Sequence, residues 1–86
     1  MSEPQLKFPT DYPIKVVGRA SDTLRRDVDA IIARHAPDSV AGEASERLSA
    51  NGNFLSISYT IRAVSAAQVT ALASELSVCR GVLLVL

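Results

Sequence analysis

The stretch VVGRASDTLRR sets Gly18 and Arg19 just ahead of a helix-like segment that carries Arg25. A glycine where a strand meets a helix, followed by arginines, lets backbone N–H groups and guanidinium groups grip a phosphate together. Here Ala20, Ser21 and Asp22 stand where further glycines would open that cradle, and the carboxylate of Asp22 repels an anion. A second group joins Lys15, Arg19 and Arg62 to Phe54, cations beside one ring, the ingredients of a single-stranded nucleic-acid platform. The paired aromatics that would hold successive bases are missing, so nucleic acid is not the expected partner. His35 is the one histidine and Cys79 the one cysteine. A lone cysteine builds neither an intrachain disulfide nor a thiolate metal cluster. His35 falls near the end of a helical pattern, where an imidazole satisfies the last carbonyls and suits the helix dipole. Cys79 reads as a small apolar packing residue. The expectation is no catalytic residue, no metal and no cofactor.

Composition narrows the class further. Eighty-six residues suit one hydrophobic core, with an extended N-terminal arm over residues 1–11 and a single domain over residues 12–86. Nearly half the residues are hydrophobic, and nine basic residues balance nine acidic ones. That balance provides no global pull toward nucleic acid or an anionic membrane, though a local patch remains open. MSEPQLKFPTDYP has no apolar segment of the kind found in a secretory leader, and no apolar run nears the twenty residues that cross a bilayer. A cytoplasmic location is expected, without membrane contact.

Six elements must position these groups. Pro4 and Pro9 break the arm, leaving Leu6 and Phe8 as its apolar anchors. From Tyr12, YPIKVVGRA alternates as a strand, with Ile14, Val16 and Gly18 on one side and Lys15, Val17 and Arg19 on the other. Leu24, Val28, Ile31, Ile32 and His35 then form a helical stripe, capped by Ser21 or Asp22 and ended by Pro37. Arg25 and Arg26 with Asp22, Asp27 and Asp29 read as that helix's solvated face. Gly42–Ser49 reads as an edge strand joined through a type I′ turn at Asn51-Gly52 to the strand beginning at Phe54. That register sets Leu48 against Leu55, Glu46 against Ile57, Arg47 against Ser56 and Ser45 against Ser58, with Glu43 reaching Thr60. Glu46 would point inward from the edge, a device against edge-to-edge aggregation. Ser65-x-x-Gln68 opens a second helix as a capping box, with Val69, Leu72 and Leu76 on its apolar face. RGVLLVL closes the chain as a strand, dividing Val82, Leu84 and Leu86 from Leu83 and Val85.

The order β-α-β-β-α-β predicts an α+β ferredoxin-like sandwich: a four-stranded antiparallel sheet, order 4-1-3-2, with both helices on one face. The other face is then free. Lys15, Val17, Arg19, Phe54, Ser56, Ser58, Thr60 and Arg62 point to it and form the candidate contact surface. Pairing of the first and third strands would bring Arg62 near Lys15.

LKFPTDYPIKVVGRA, RHAPD and SANGNFLSISYTI together resemble the YbeD-like family of small bacterial proteins, from Leu6 onward. The resemblance implies a ferredoxin-like domain similar to the ACT domains that regulate enzymes of amino-acid metabolism; it brings no activity and no binding residues. In amino-acid-binding ACT domains a glycine near the start of the first helix lets the backbone approach the ligand. The matching position here is Thr23, whose side chain blocks that approach. The reading is a non-enzymatic binding or regulatory module, acting through its open sheet face and the edge of its last strand on a protein partner or a second copy of itself, with a small-molecule ligand left open. RNA binding by a domain of RRM-like topology ranks second. A small acylphosphatase-like hydrolase using Arg25 ranks third.

Overall fold

A computed structural model describes residues 7–37 and 44–86 of the chain. Its elements are β1 (Thr10–Arg19), α1 (Leu24–His35), β2 (Ser45–Leu48), β3 (Phe54–Ala63), α2 (Ala66–Ser77) and β4 (Val82–Val85). The strands form one antiparallel sheet in the order β2-β3-β1-β4, the expected order read from the other edge. Strand β1 starts two residues before Tyr12 because its pairing with β3 continues to Thr10 opposite Ala63.

Alternation decides which residues meet the helices. Ile14 and Val16 of β1 and Leu55, Ile57, Tyr59, Ile61 and Ala63 of β3 are buried in one core with Leu24, Val28, Ile31 and Ile32 of α1 and Leu72 and Leu76 of α2. Phe8 is half-buried against this core, while Leu6 lies outside the described residues.

The helix ends follow the expected chemistry with two changes. In α1 the Leu24 N–H donates to Ser21 Oγ at 3.1 Å, so Ser21, rather than Asp22, satisfies a free donor, and the helix stops before Pro37. In α2 the Gln68 N–H donates to Ser65 Oγ at 3.1 Å. Gln68 does not close the box on Ser65; its Oε1 accepts from the Val64 N–H at 2.6 Å and its Nε2 donates to the His35 carbonyl at 2.7 Å. One glutamine thereby caps α2 and ties it to the end of α1. Ser65→Ala should lower stability by about 1 kcal/mol, and Ser65→Asp should retain it, both read from urea midpoints.

The β2–β3 register matches the expectation across all four pairs, from Ser45–Ser58 to Leu48–Leu55. The strand is shorter than Gly42–Ser49; Gly42 and Glu43 lie outside the described residues. Its turn is not type I′, which needs positive φ at both central residues. Only Gly52 has one, at 73°, and its N–H donates to the Ser49 carbonyl at 2.9 Å. Ala50 to Asn53 therefore make a four-residue loop, closed by the Ser49 N–H on the Phe54 carbonyl at 2.8 Å, and the offset between the strands is unchanged.

Strand β4 departs most from the expected alternation. Val82 sits opposite Gly18 and Leu84 opposite Val17, so Leu83 is an extra residue, a bulge. Val82 and Val85 consequently pack against the core, and Leu83, Leu84 and Leu86 are all exposed.

Candidate functional site

The side of the sheet away from the helices is built from cross-strand rows. Ser45 of β2, Ser58 of β3 and Lys15 of β1 form one row, extended by Leu86, which exchanges both backbone hydrogen bonds with Lys15 at 3.0 and 2.8 Å. Arg47, Ser56, Val17 and Leu84 form the next. Arg19 stands opposite Phe54 at one end; Pro13 opposite Thr60 and Asp11 opposite Arg62 lie toward the other. All eight residues singled out from the sequence therefore share this face.

They are not one cluster. Arg62 lies four positions along β3 from Ser58, the partner of Lys15, roughly 13 Å at strand rise. It does not approach Lys15; its Nη1 is 3.5 Å from Asp11 Oδ1. Phe54 is 44% exposed at the hairpin end, whereas Tyr59 is turned into the core. One ring at one corner offers no run of stacking positions. Sequence reasoning passed over Arg47 and Ser45 as contact residues, and it included the edge of the last strand without singling out Leu84 and Leu86. The hairpin register already implied the first two; the leucines depended on the β4 bulge.

A shallow groove of about 400 Å³ runs between Pro13, Lys15, Ser45, Ser58, Thr60 and Leu86. A second of about 260 Å³ adjoins it, lined by Lys15, Ser45, Glu46, Arg47, Ser56 and Ser58. Lys15, Arg19 and Arg47 have no carboxylate partner among the described residues. The groove thus carries Lys15 on β1 and Arg47 on β2, is hydroxyl-lined along β3 between them, and is apolar toward β4.

The helix side accounts for the remaining candidates. Arg25 Nε donates to both Asp29 oxygens at 2.9 and 3.0 Å, and its Nη1 to Glu46 Oε2 at 2.9 Å. The anion-gripping role weighed for Arg25 is displaced by these two carboxylates. The helix face is also less solvated than expected, because Arg25 ties β2 to α1 and Asp29 Oδ1 accepts from the Tyr59 hydroxyl at 2.5 Å. Glu46 does point to the helix side, paired. His35 and Arg34 both bond Glu75 of α2, and the bond from His35, then that from Arg34, holds the Glu75 carboxyl below its ordinary range. His35 is a link between the helices. Cys79 is half-buried against the core; burial first, then Asp27 and Glu75, pushes its thiol up. Among the described residues no group of three or more His, Cys, Asp or Glu is placed to hold a metal ion, and no helix is long and apolar enough to cross a membrane.

Residues 3–86 match the family described as "Protein of unknown function (DUF493)". A UPF0250 protein of Ectopseudomonas mendocina is 43% identical over 74 residues, covering 85% of this chain and 80% of that one. One from Hahella chejuensis is 35% identical over 83 residues, covering 96% and 91%. Among solved structures, protein HP0495 from H. pylori superposes with a TM-score of 0.75 at 14% identity, over 98% of this chain and 88% of that one. The ACT domain from GTP pyrophosphokinase of Chlorobium tepidum does so at 0.64 and 20% identity, over 90% and 97%. At such identities the likeness is one of fold: ferredoxin-like, of the ACT type.

Proposed function

The chain belongs to the DUF493 (UPF0250) family, the YbeD-like proteins, and on that premise we propose that it is a non-enzymatic regulatory or adaptor module that works by binding. Its contact surface is the open sheet face, with Lys15, Val17, Arg19, Phe54, Ser56, Ser58, Thr60 and Arg62 joined by Ser45, Arg47, Leu84 and Leu86. One observation carries this reading: a whole sheet face is left uncovered by the helices, and it ends at an edge strand with three exposed leucines. Contiguous exposed apolar area beside polar residues is characteristic of interaction sites. The edge itself is equipped for pairing. Because Leu86 bonds Lys15, Val85 turns its backbone N–H and C=O outward. A second copy can pair there, and a protein partner can cover the face.

The ACT-type fold supports a regulatory role by analogy, and a small acyl-phosphate hydrolase is disfavoured by the engagement of Arg25. A cytoplasmic location fits this role. The test is quantitative affinity purification with wild type and a Phe54→Asp, Leu84→Asp variant, alongside light scattering over a dilution series. The variant should lose its partners or its dimer while keeping its thermal midpoint. Recovery of the same partners and the same oligomer by both proteins would refute this surface.

A further inference from the structure

Resting on that reading, we propose that the occupant of the open face is an acidic segment of a partner protein, about ten residues long, apolar at one end and carboxylate-bearing at the other. Charge segregation is the first argument. The chain as a whole is neutral, with nine basic and nine acidic residues. Yet β1, β2 and β3 direct Lys15, Arg19, Arg47 and Arg62 to this face against one described side-chain carboxylate, Asp11, which Arg62 already faces. Glu46 also lines the smaller groove, but its carboxylate is held by Arg25 at 2.9 Å. Among the described side chains the unbalanced charge on the face is positive, so its complement is an anion.

The second argument is direction. Across the strands, the row from β4 to β2 reads Leu84, Val17, Ser56, Arg47, and its neighbour reads Leu86, Lys15, Ser58, Ser45. Three strand spacings separate the leucines from Arg47, roughly 14 Å. A helix of about ten residues spans that distance at 1.5 Å per residue. Apolar side chains at its start would cover Leu84, Leu86 and Val17; a carboxylate near its middle would reach Lys15, which stands on β1 in the row beside Val17, and one at its end would reach Arg47 on β2, with serine hydroxyls donating to them. A free phosphate would leave the leucines uncovered. A second copy laid face to face would bring cations against cations. Single-stranded RNA meets the cations but finds only Phe54 to stack on, beyond the grooves.

The test starts from a random twelve-residue peptide display library panned on the full chain. The enriched peptide is then measured by fluorescence anisotropy, with an oligo-uridine RNA of twelve nucleotides and inorganic phosphate as competitors, and its footprint is mapped by amide shifts. Enriched peptides should carry apolar residues on one side and at least two carboxylates on the other. Lys15→Gln and Arg47→Gln should each weaken binding about fivefold, Leu84→Ser more, and Arg26→Gln on α1 not at all. Neutral or basic peptides that still shift Val17, Ser56 and Leu84 would overturn the acidic partner and leave the binding surface standing. Peptides that map to the helices would overturn both. RNA or phosphate that displaces the peptide at lower concentration than it binds would overturn the peptide partner in favour of that anion.

Discussion

Gly18→Ala is expected to lower stability by about 2–3 kcal/mol, a fall of roughly 10–20 °C in Tm for a domain of this size. A β-carbon built on Gly18 would lie 2.6 Å from the Gly81 carbonyl oxygen and 3.0 Å from Leu24 Cδ2. The leucine can turn aside. The carbonyl cannot, because it accepts from the Arg19 N–H at 2.9 Å and Gly81 itself sits at φ 88°. Strand β4 would have to move off β1, loosening Val82 and Val85 from the core. Gly52→Ala separates sterics from backbone conformation. Gly52 also has positive φ, yet its added β-carbon meets nothing nearer than Leu48 Cδ2 at 3.9 Å. Its replacement should cost about 1 kcal/mol. Chemical denaturation of both variants, followed by circular dichroism, measures the difference. Equal effects at the two positions would mean that β4 does not approach β1 this closely.

Asp29→Ala should be the other large loss, about 2 kcal/mol. The Tyr59 side chain is buried at 4% exposure, and its hydroxyl donates to Asp29 Oδ1. Removing the carboxylate leaves that hydroxyl without its acceptor at the part-buried margin of the core, where an unmet donor carries a desolvation penalty. The Arg25–Asp29 ion pair adds little, since both side chains are about one-third exposed. Asp29→Ala also leaves Arg25 held by Glu46 alone, in the one side-chain ion pair that joins β2 to α1 among the described residues.

The same bond predicts an alkaline limit. Burial first, then the bond to Asp29 and its charge, pushes the Tyr59 phenol far above its ordinary value near 10. The folded state therefore favours the protonated phenol. The stabilisation is fully present below pH 10 and declines as pH rises above it, where the unfolded chain gives up the proton more readily. Urea midpoints taken from pH 8 to 11 should fall more steeply for wild type than for Tyr59→Phe above pH 10. Parallel curves would show that the phenol is not sequestered.

Much of this architecture was legible in short stretches of chain. Alternation in YPIKVVGRA and NFLSISYTIRA separates core residues from outward ones because strand side chains repeat every two residues, whatever the strand packs against. The stripe from Leu24 to His35 and the Ser65 cap are equally local, since a helix organises its own turns. The hairpin register, too, depended only on the offset from Leu48 to Leu55, which is why it held although the loop is not type I′.

Position in space decided the rest. RGVLLVL has no internal feature that separates a regular strand from a bulged one, and the bulge at Leu83 arises where β4 meets Gly18. Arg25 has acidic neighbours on its own helix, and only the packing of β2 beside α1 supplies Glu46, as only the placement of β3 delivers Tyr59 to Asp29. Arg62 met Asp11, not Lys15, because the β1–β3 register spaces those residues four apart. Periodicity along a chain is a property of nearby residues, so the sequence by itself determined the elements and the faces of most of them. Which groups meet across elements depends on contacts between distant segments, and those form only when the sheet and helices close on one another.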